Sequence, residues 1–432
     1  MNVFIATIGT RGDVQPYIAL GEGISRAGHD VTVCTSTRYE SVVTEHGLSY
    51  GRLSDDLIAL VETPEGRAAI AAAGGAIRGL GTLFNLIRQS LQIQHDLFRD
   101  GWAAAREADP DIIVYHPKMA IALHYAERLD VPAVMAPLFP VFLPTRAYPQ
   151  PGFPKLRLGH RLTAAYNHAT HFLTRTVVSA ASRWLFASWR REHGLPPQPW
   201  GTGVAHRVDG TRVPFLNGWS PHLVPDPPDW PQRNVQTTGY WFLDHANDWT
   251  PPPALESFLA DGPPPVYVGF GSMAGRDPQR TTGIVIDALQ RAGLRGVLAS
   301  GWGGIASDDL PESVHLLDQV PHDWLFPRVA AVVHHGGAGT TAAGLRAGRP
   351  TVVCPFFGDQ LFWGRRVQEA GAGPAPVSQK NLTPAQLATA LREATGNPEI
   401  RQSAAALGRK IRQEDGIANA VTFIERTAAR SA

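Results

Sequence analysis

The stretch that decides the fold is VVHHGGAGTTAAGLRAGRPTVVCPFFGDQ, Val332 to Gln360. With Ala330 and Ala331 it parses as a strand (AAVVHH), a glycine-rich turn (GGAG), a helix (TTAAGLRAG) and a second strand (PTVVCPF), the rhythm of a parallel βαβ unit. Glycines leave backbone N–H groups free to approach an anion, and the dipole of the following helix adds positive potential there. A diphosphate fits that geometry. His335, at the mouth of the turn, could donate to a phosphate oxygen, and the Thr340 hydroxyl could do the same from the first turn of the helix. The same pattern also serves as a plain strand-to-helix connection. His334 reads as structural, because neighbouring strand residues face opposite ways.

Missing signatures narrow the choice. A P-loop needs Gly-Lys-Ser/Thr, and HHGGAGT contains no lysine. A dinucleotide fingerprint needs G-x-G-x-x-G with an acid after the second strand. GTRGDV (Gly9 to Val14) lacks the spacing, and the second strand runs into Thr35, Ser36 and Thr37. ATPase and dehydrogenase readings both weaken.

Working outward, the chain opens as it later repeats. VFIATIG (Val3 to Gly9) ends in TRGD, then a helix is expected from Gln15 to Arg26, Gly28 as its stop, and the strand VTVCT. The pattern returns with PPVYVGF (Pro264 to Phe270), a Gly-Ser turn, a helix over Arg280 to Arg291, Gly293 and the strand GVLAS. Two parallel-sheet domains follow. SPHLVPDPPDWPQRN (Ser220 to Asn234) is too proline-dense for a long helix and reads as their connector. The expected division is 1–225, 226–415 and a terminal helix, 416–432, which either ends the second domain or packs back on the first. Ligands of open α/β sheets bind beyond the carboxyl ends of the strands, so the expectation is two Rossmann-like domains facing each other across a cleft.

Composition bounds the partners. The 432 residues carry 39 Lys and Arg against 38 Asp and Glu, a formal charge of +1, so no global field selects nucleic acid. Cys34 and Cys354 sit in separate apolar runs and make no disulfide framework. The start, MNVFIATIGT, has no basic signal region and no apolar run reaches membrane-span length, so a soluble, cytoplasmic protein is expected.

Taken together, GTRGDVQPYIALG (Gly9 to Gly21), TGYWFLD (Thr238 to Asp244), PPVYVGFGSM (Pro264 to Met273), VPHDWLFP (Val320 to Pro327), HHGGAGTTAAGLRAGRP (His334 to Pro350) and PFFGDQLFWG (Pro355 to Gly364) resemble the UDP-glycosyltransferase superfamily of GT-B fold. Within it the chain is most similar to sterol 3-beta-glucosyltransferases and to bacterial transferases that glycosylate antibiotic aglycones. The resemblance implies a nucleotide-sugar donor, UDP-glucose favoured over a TDP-sugar by the sterol-type signature, a hydrophobic acceptor, and no catalytic metal or further cofactor. It implies that His335, Gly337, Gly339 and Thr340 hold the donor diphosphate with Ser272, Thr10 and Arg11, that Asp359 and Gln360 bind the sugar hydroxyls, and that Gln319 and Val320 meet the nucleoside. Two positions depart from the plant small-molecule branch, Gln319 in place of a tryptophan and Ala343 in place of a ribose-binding glutamate.

Moving a sugar with inversion needs a base for the acceptor's hydroxyl proton and a trap for the departing diphosphate. Asp13 matches the aspartate that is the base in this branch; on pattern alone it could equally cap the helix that follows. Asp359 and Gln360 could likewise be a turn and a helix cap. Asp109-Pro110-Asp111 has the spelling of a metal-binding Asp-x-Asp, but it precedes the strand IIVYHP and reads as an ordinary turn.

Between Val131 and Arg191 there is no Asp or Glu, yet there are eight Arg and Lys and many aromatics. Such a segment could line an acceptor cavity, lie against an anionic lipid surface, or be a helical layer with its basic face in water. The expected activity is an inverting hexosyltransferase acting on a sterol, steroid or similar polycyclic hydroxyl. The alternatives are a TDP-sugar transferase of antibiotic or macrolide aglycones and, from another class, a nucleotide-sugar epimerase.

Overall fold

The computed structural model describes residues 1–56, 59–60, 80–156, 158–245, 249–270, 278–299, 310–317, 320–356 and 358–430, with backbone alone for 80–92 and 278. Among the described residues the strands form two sheets. The first contains β1 (Asn2–Ala6), β2 (Asp30–Ser36), β3 (Ser49–Leu53), β4 (Ile112–Tyr115), β5 (Ala133–Met135), β6 (Phe215–Asn217) and β7 (Val235–Thr237) in the order β3-β2-β1-β4-β5-β6-β7. The second contains β8 (Val266–Gly269), β9 (Gly296–Ala299), β10 (Val314–Leu317), β11 (Ala331–His334) and β12 (Thr351–Val353) in the order β10-β9-β8-β11-β12.

Every strand pairing in both sheets is parallel. The central strands β1, β4, β8 and β11 are accordingly short, mostly apolar runs covered on both faces, and Val3, Phe4, Ile5 and Ala6 are buried. Each sheet reverses its winding direction once, between β1 and β4 in the first and between β8 and β11 in the second. Loops leaving those strands therefore flank the crevice where such sheets bind ligands.

The chain separates into two compact units: unit 1 is residues 1–218, 226–243 and 415–432, and unit 2 is 219–225 and 244–414. The division expected at 225/226 is thus displaced. The proline-rich stretch is no simple connector, because β7 beyond it adds to β6 in register, Phe215 beside Val235 and Asn217 beside Thr237. Of that stretch only 220–225 groups with unit 2, together with Trp219; the chain enters unit 2 again after Leu243 and returns to unit 1 at Asp415.

Unit 1 is centred on a cluster in which β1 and β4 pack against Val14, Ile18 and Ile24 of the helix Arg11–Arg26. The last helix, Gly416–Ala429, adds Ala420, Val421, Phe423 and Ile424 to that cluster. Gly23 makes the approach possible, since a Cβ there would lie 2.0 Å from Ile417 Cγ2. Burial of the three larger side chains contributes about 1.5–3 kcal/mol each, enough to hold the chain terminus in place. Unit 2 has its own core, with β8, β11 and β12 against Leu387, Leu391 and Ala394 of the helix Pro384–Gly396.

Candidate active site

In unit 1, β1 ends at Ala6 and the chain turns through Gly9 into the helix Arg11–Arg26, which begins four residues earlier than the sequence pattern suggested. Thr10, not Asp13, is its N-cap; Asp13 is the third helical residue. Its carboxylate reaches back, and Oδ2 accepts from the Thr10 backbone N–H at 2.8 Å and the Thr10 hydroxyl at 3.0 Å. Gly9 has φ +139°, and a side chain there would place Cβ 2.3 Å from Asp13 Oδ2. The glycine before the helix thus leaves room for the carboxylate.

The switch point brings a second loop to Asp13. His116 follows β4 directly, and Lys118 stands two residues on, in a short 3-10 turn. Lys118 Nζ lies 2.7 Å from Asp13 Oδ2, and His116 Nε2 lies 3.7 Å from Oδ1. His116 Nδ1 accepts the Lys118 backbone N–H at 3.1 Å, which assigns the ring proton to Nε2, facing the carboxylate. Tyr17 packs edge-on against that ring at 5.6 Å between centroids. Three donors converge on Oδ2, whereas Oδ1 has only the distant His116 within this group.

The electrostatics follow from that packing. Burial pushes the Asp13 carboxyl up, but the Lys118 ammonium, His116, the Lys118 hydrogen bond and the Thr10 N–H together outweigh it and hold the group below its ordinary value. Burial pushes His116 down to about 4, against the pull of Asp13, so its ring is neutral near pH 7. Sequence reasoning missed His116 and Lys118. A usable signal existed, since HPK closes the strand adjacent to β1 at its carboxyl end.

In unit 2, β11 delivers His334 and His335 to the turn. His334 is fully buried and its Nδ1 accepts the Gly336 N–H at 2.9 Å, which makes it the clamp of the turn. Gly336 has φ +102°, and a Cβ there would meet Val353 Cγ1 at 2.8 Å and Gln360 Cβ at 3.0 Å. The two ends of the opening sequence therefore touch in space, because β11 and β12 are neighbours.

Gly337 is the N-cap of the helix Ala338–Arg346, which contains Gly339 and Thr340, and a Cβ at position 337 would lie 2.8 Å from His335 Nε2. Burial pushes His335 down to about 4, and its Nδ1 has no hydrogen-bond partner among the described residues. A neutral imidazole beside exposed helix N–H groups can donate to an anion, and a bound anion would favour its protonated form. Asp359 is the N-cap of the helix Gln360–Glu369, and its Oδ2 accepts from Trp363 Nε1 at 2.9 Å. The Gln360 side-chain Oε1 accepts the Phe356 N–H at 2.7 Å, so that oxygen braces the turn.

The remaining expected residues fall elsewhere. Thr10 gives its hydroxyl to Asp13, and Arg11 is exposed at the start of its helix. Val320 stands past the carboxyl end of β10, two strands from β8. Ser272 and Gln319 lie outside the described residues. Asp109 and Asp111 lie at the opposite, amino end of β4, where Asp111 Oδ2 accepts the Asn2 N–H at 2.7 Å and the Asp109 carbonyl accepts from Asn2 Nδ2 at 3.1 Å. Among the described residues no group of three or more His, Cys, Asp or Glu is placed to hold a metal ion, and no helix is long and apolar enough to cross a membrane.

Two doubly wound parallel domains, each with its chemistry-bearing loops at the switch point, are the architecture of GT-B glycosyltransferases. Solved structures of this kind align along the whole chain. They include the glycotransferase of kitacinnamycin (TM-score 0.72, 20% identity, 99% of this chain and 98% of that one), the calicheamicin glycosyltransferase CalG4 (0.69, 18%, 100% and 99%) and glycosyltransferase VinC in complex with dTDP (0.67, 21%, 100% of both).

Residues 3–149 match the glycosyltransferase family 28 N-terminal domain and residues 304–418 the erythromycin biosynthesis protein CIII-like C-terminal domain, and the chain belongs to this family of glycosyltransferases. Among curated relatives, the sterol 3-beta-glucosyltransferase of Aspergillus fumigatus is 36% identical over 444 residues, covering 99% of this chain and 30% of that protein. Sterol 3-beta-glucosyltransferase UGT80A2 of Arabidopsis thaliana is 35% identical over 437 residues, covering 98% and 64%. The chain thus spans about a third of the length of such fungal relatives and under two thirds of the plant one.

Proposed function

We propose that the chain moves glucose from UDP-glucose, with inversion, to a hydroxyl of a sterol, steroid or similar polycyclic acceptor. The observation that carries this reading is 35–36% identity to sterol 3-beta-glucosyltransferases along 98–99% of the chain, including the segments that hold Asp13 and His335.

Asp13 Oδ1 takes the acceptor's hydroxyl proton while the acceptor oxygen bonds to the anomeric carbon. The bond from that carbon to the phosphate oxygen breaks, and the diphosphate leaves with its electron pair. Its developing charge falls to the His335 N–H and to the N–H groups that begin the helix Ala338–Arg346, with Thr340 assisting, so no metal is assigned a part. Asp359 and Gln360 orient the hexose, and the segment around Val320 meets the nucleoside. Holding Oδ2 with three donors leaves Oδ1 as the basic oxygen and fixes its direction. Proton transfer to so acidic a carboxylic acid is uphill until the sugar–phosphate bond has lengthened, so the proton moves late. Two buried free cysteines suit a reducing, cytoplasmic setting.

A second reading, transfer from a TDP-sugar to an antibiotic aglycone, is favoured by the match of residues 304–418 to the erythromycin-type C-terminal domain. A panel of UDP- and TDP-sugars against sterol and macrolide acceptors, read by mass spectrometry, separates the two. Product only from TDP-sugars, or only on macrolides, would replace the first reading with the second.

A further inference from the structure

The helix His160–Leu185 in unit 1 is turned inside out. Its buried residues are Asn167, Thr170, His171, Ser179 and Ser182. Four of them hold chain outside the helix: Asn167 Nδ2 donates to the Arg146 carbonyl at 2.9 Å, Thr170 Oγ1 accepts the Gln150 N–H at 2.9 Å, His171 Nε2 donates to the Tyr148 carbonyl at 3.1 Å, and Ser179 Oγ accepts the Gly201 N–H at 3.1 Å. The helix rests on irregular chain whose backbone groups need partners, so its polar face must point inward.

The opposite face is the anomaly. Leu162, Leu173, Val177 and Trp184 are 66, 53, 59 and 64% exposed, and Ala169 and Ala180 are exposed between them. At 100° per residue these six positions fall within a single narrow stripe along the helix. Phe172, 57% exposed, and Trp200, 71% exposed, widen it. Surface helices place their apolar stripe toward a core, and an uncovered stripe of this kind marks an interaction surface.

Three arguments choose the occupant. The 26-residue helix is about 39 Å long, far beyond any single polycyclic acceptor. Within its own segment the charges beside the stripe are all of one sign: Arg161 and Arg183 lie along one edge of it, Arg175 lies over the Phe172 ring and Arg183 over the Trp200 ring, and no Asp or Glu occurs between Val131 and Arg191. A second copy of this chain would bring arginine against arginine. A flat anionic surface with an apolar interior satisfies both the Leu, Val and Trp side chains and the flanking guanidinium groups.

We propose that the His160–Leu185 helix is a peripheral membrane-docking face that lies in the plane of an anionic lipid surface, its Leu162–Trp184 stripe in the acyl boundary and its arginines at the headgroups. This stands apart from the reaction assigned above and would hold for any acceptor.

The test is flotation of the full chain with vesicles of phosphatidylcholine alone and of phosphatidylcholine mixed with phosphatidylglycerol, at low and high salt. Flotation with the mixed vesicles is expected, weakened by salt. It should fall at least about tenfold in a Leu173→Ser/Trp184→Ser variant and about fivefold for each of Arg161→Gln and Arg183→Gln at low salt. All four positions are at least partly exposed, and unchanged circular dichroism confirms folding; Leu162→Ser near the helix start is the reserve variant. Absence of flotation, or flotation indifferent to lipid charge and to these substitutions, overturns the proposal. So does sedimentation as a dimer that the Leu173→Ser/Trp184→Ser variant converts to monomer, which would assign the stripe to a second copy.

Discussion

Lys118 Nζ stands 2.7 Å from Asp13 Oδ2, joining the turn after β4 to the helix after β1 at the point where the first sheet reverses its winding. The pair fixes one carboxylate oxygen and, with His116 and the Thr10 N–H, keeps the group ionised despite burial, while the second oxygen has only His116 nearby, at 3.7 Å, within this group.

Asp13→Asn keeps the hydrogen bonds to Thr10 geometrically feasible but removes the base. Turnover should fall about 10²–10⁴-fold, while the affinity for UDP changes by no more than a few-fold, because the main diphosphate partners proposed above, His335 and Thr340, lie in unit 2. Near wild-type turnover in this variant would remove the base assignment.

Lys118→Met takes away the strongest influence lowering the Asp13 pKa while the burial that raises it stays. The acid limb of kcat/KM, which reports loss of activity as Asp13 protonates on falling pH, should move to higher pH, and Lys118→Arg should return it toward the wild-type position. A purely structural lysine would alter stability without moving that limb.

His335→Ala should weaken UDP binding and turnover together, each by roughly 10–100-fold, the effect expected from losing one hydrogen bond to a charged group. With burial holding the free His335 near 4 and a bound diphosphate favouring its protonated form, wild-type UDP affinity should increase as pH falls toward about 4. Calorimetric titration across pH would show the increase in the wild type and a flatter profile in the variant.

Glu127 forms a buried cluster with Arg190 and His124: Arg190 Nη1 lies 2.5 Å from Glu127 Oε2 and 2.6 Å from His124 Nδ1. Burial raises the Glu127 carboxyl, but His124 and Arg190 outweigh it and hold it down to about 2. Its contribution to stability is complete above the unfolded value of about 4.3 and is lost as pH falls through about 2. Arg190→Met leaves a buried charge and should cost about 3–5 kcal/mol at pH 7, less below pH 4 as Glu127 takes up a proton. Urea denaturation at the two pH values checks both the size and the sign.

Gly336→Ala should distort the donor turn, since φ +102° is unfavourable for alanine and the added Cβ strikes Val353 and Gln360. A destabilisation of about 1–3 kcal/mol with loss of UDP binding is expected. Unchanged binding would mean that the turn is not the diphosphate site.

Much of this protein was legible in its sequence because the signals are local. Two βαβ openings, short apolar strands and glycine turns at strand ends dictate two parallel sheets, and they place His335, Asp13 and Asp359 beyond the carboxyl ends of strands, where such sheets bind ligands. What only tertiary structure decided depends on pairing across long separations. Val235–Thr237 joins the first sheet because β6 offers it an edge, which no proline count reveals. Lys118 reaches Asp13 because β1 and β4 are neighbours, although more than a hundred residues separate them in the chain. The His160–Leu185 helix turns its leucines outward because the loop beneath it needs hydrogen-bond partners more than the helix needs burial, and periodicity alone gives a stripe without saying which way it faces.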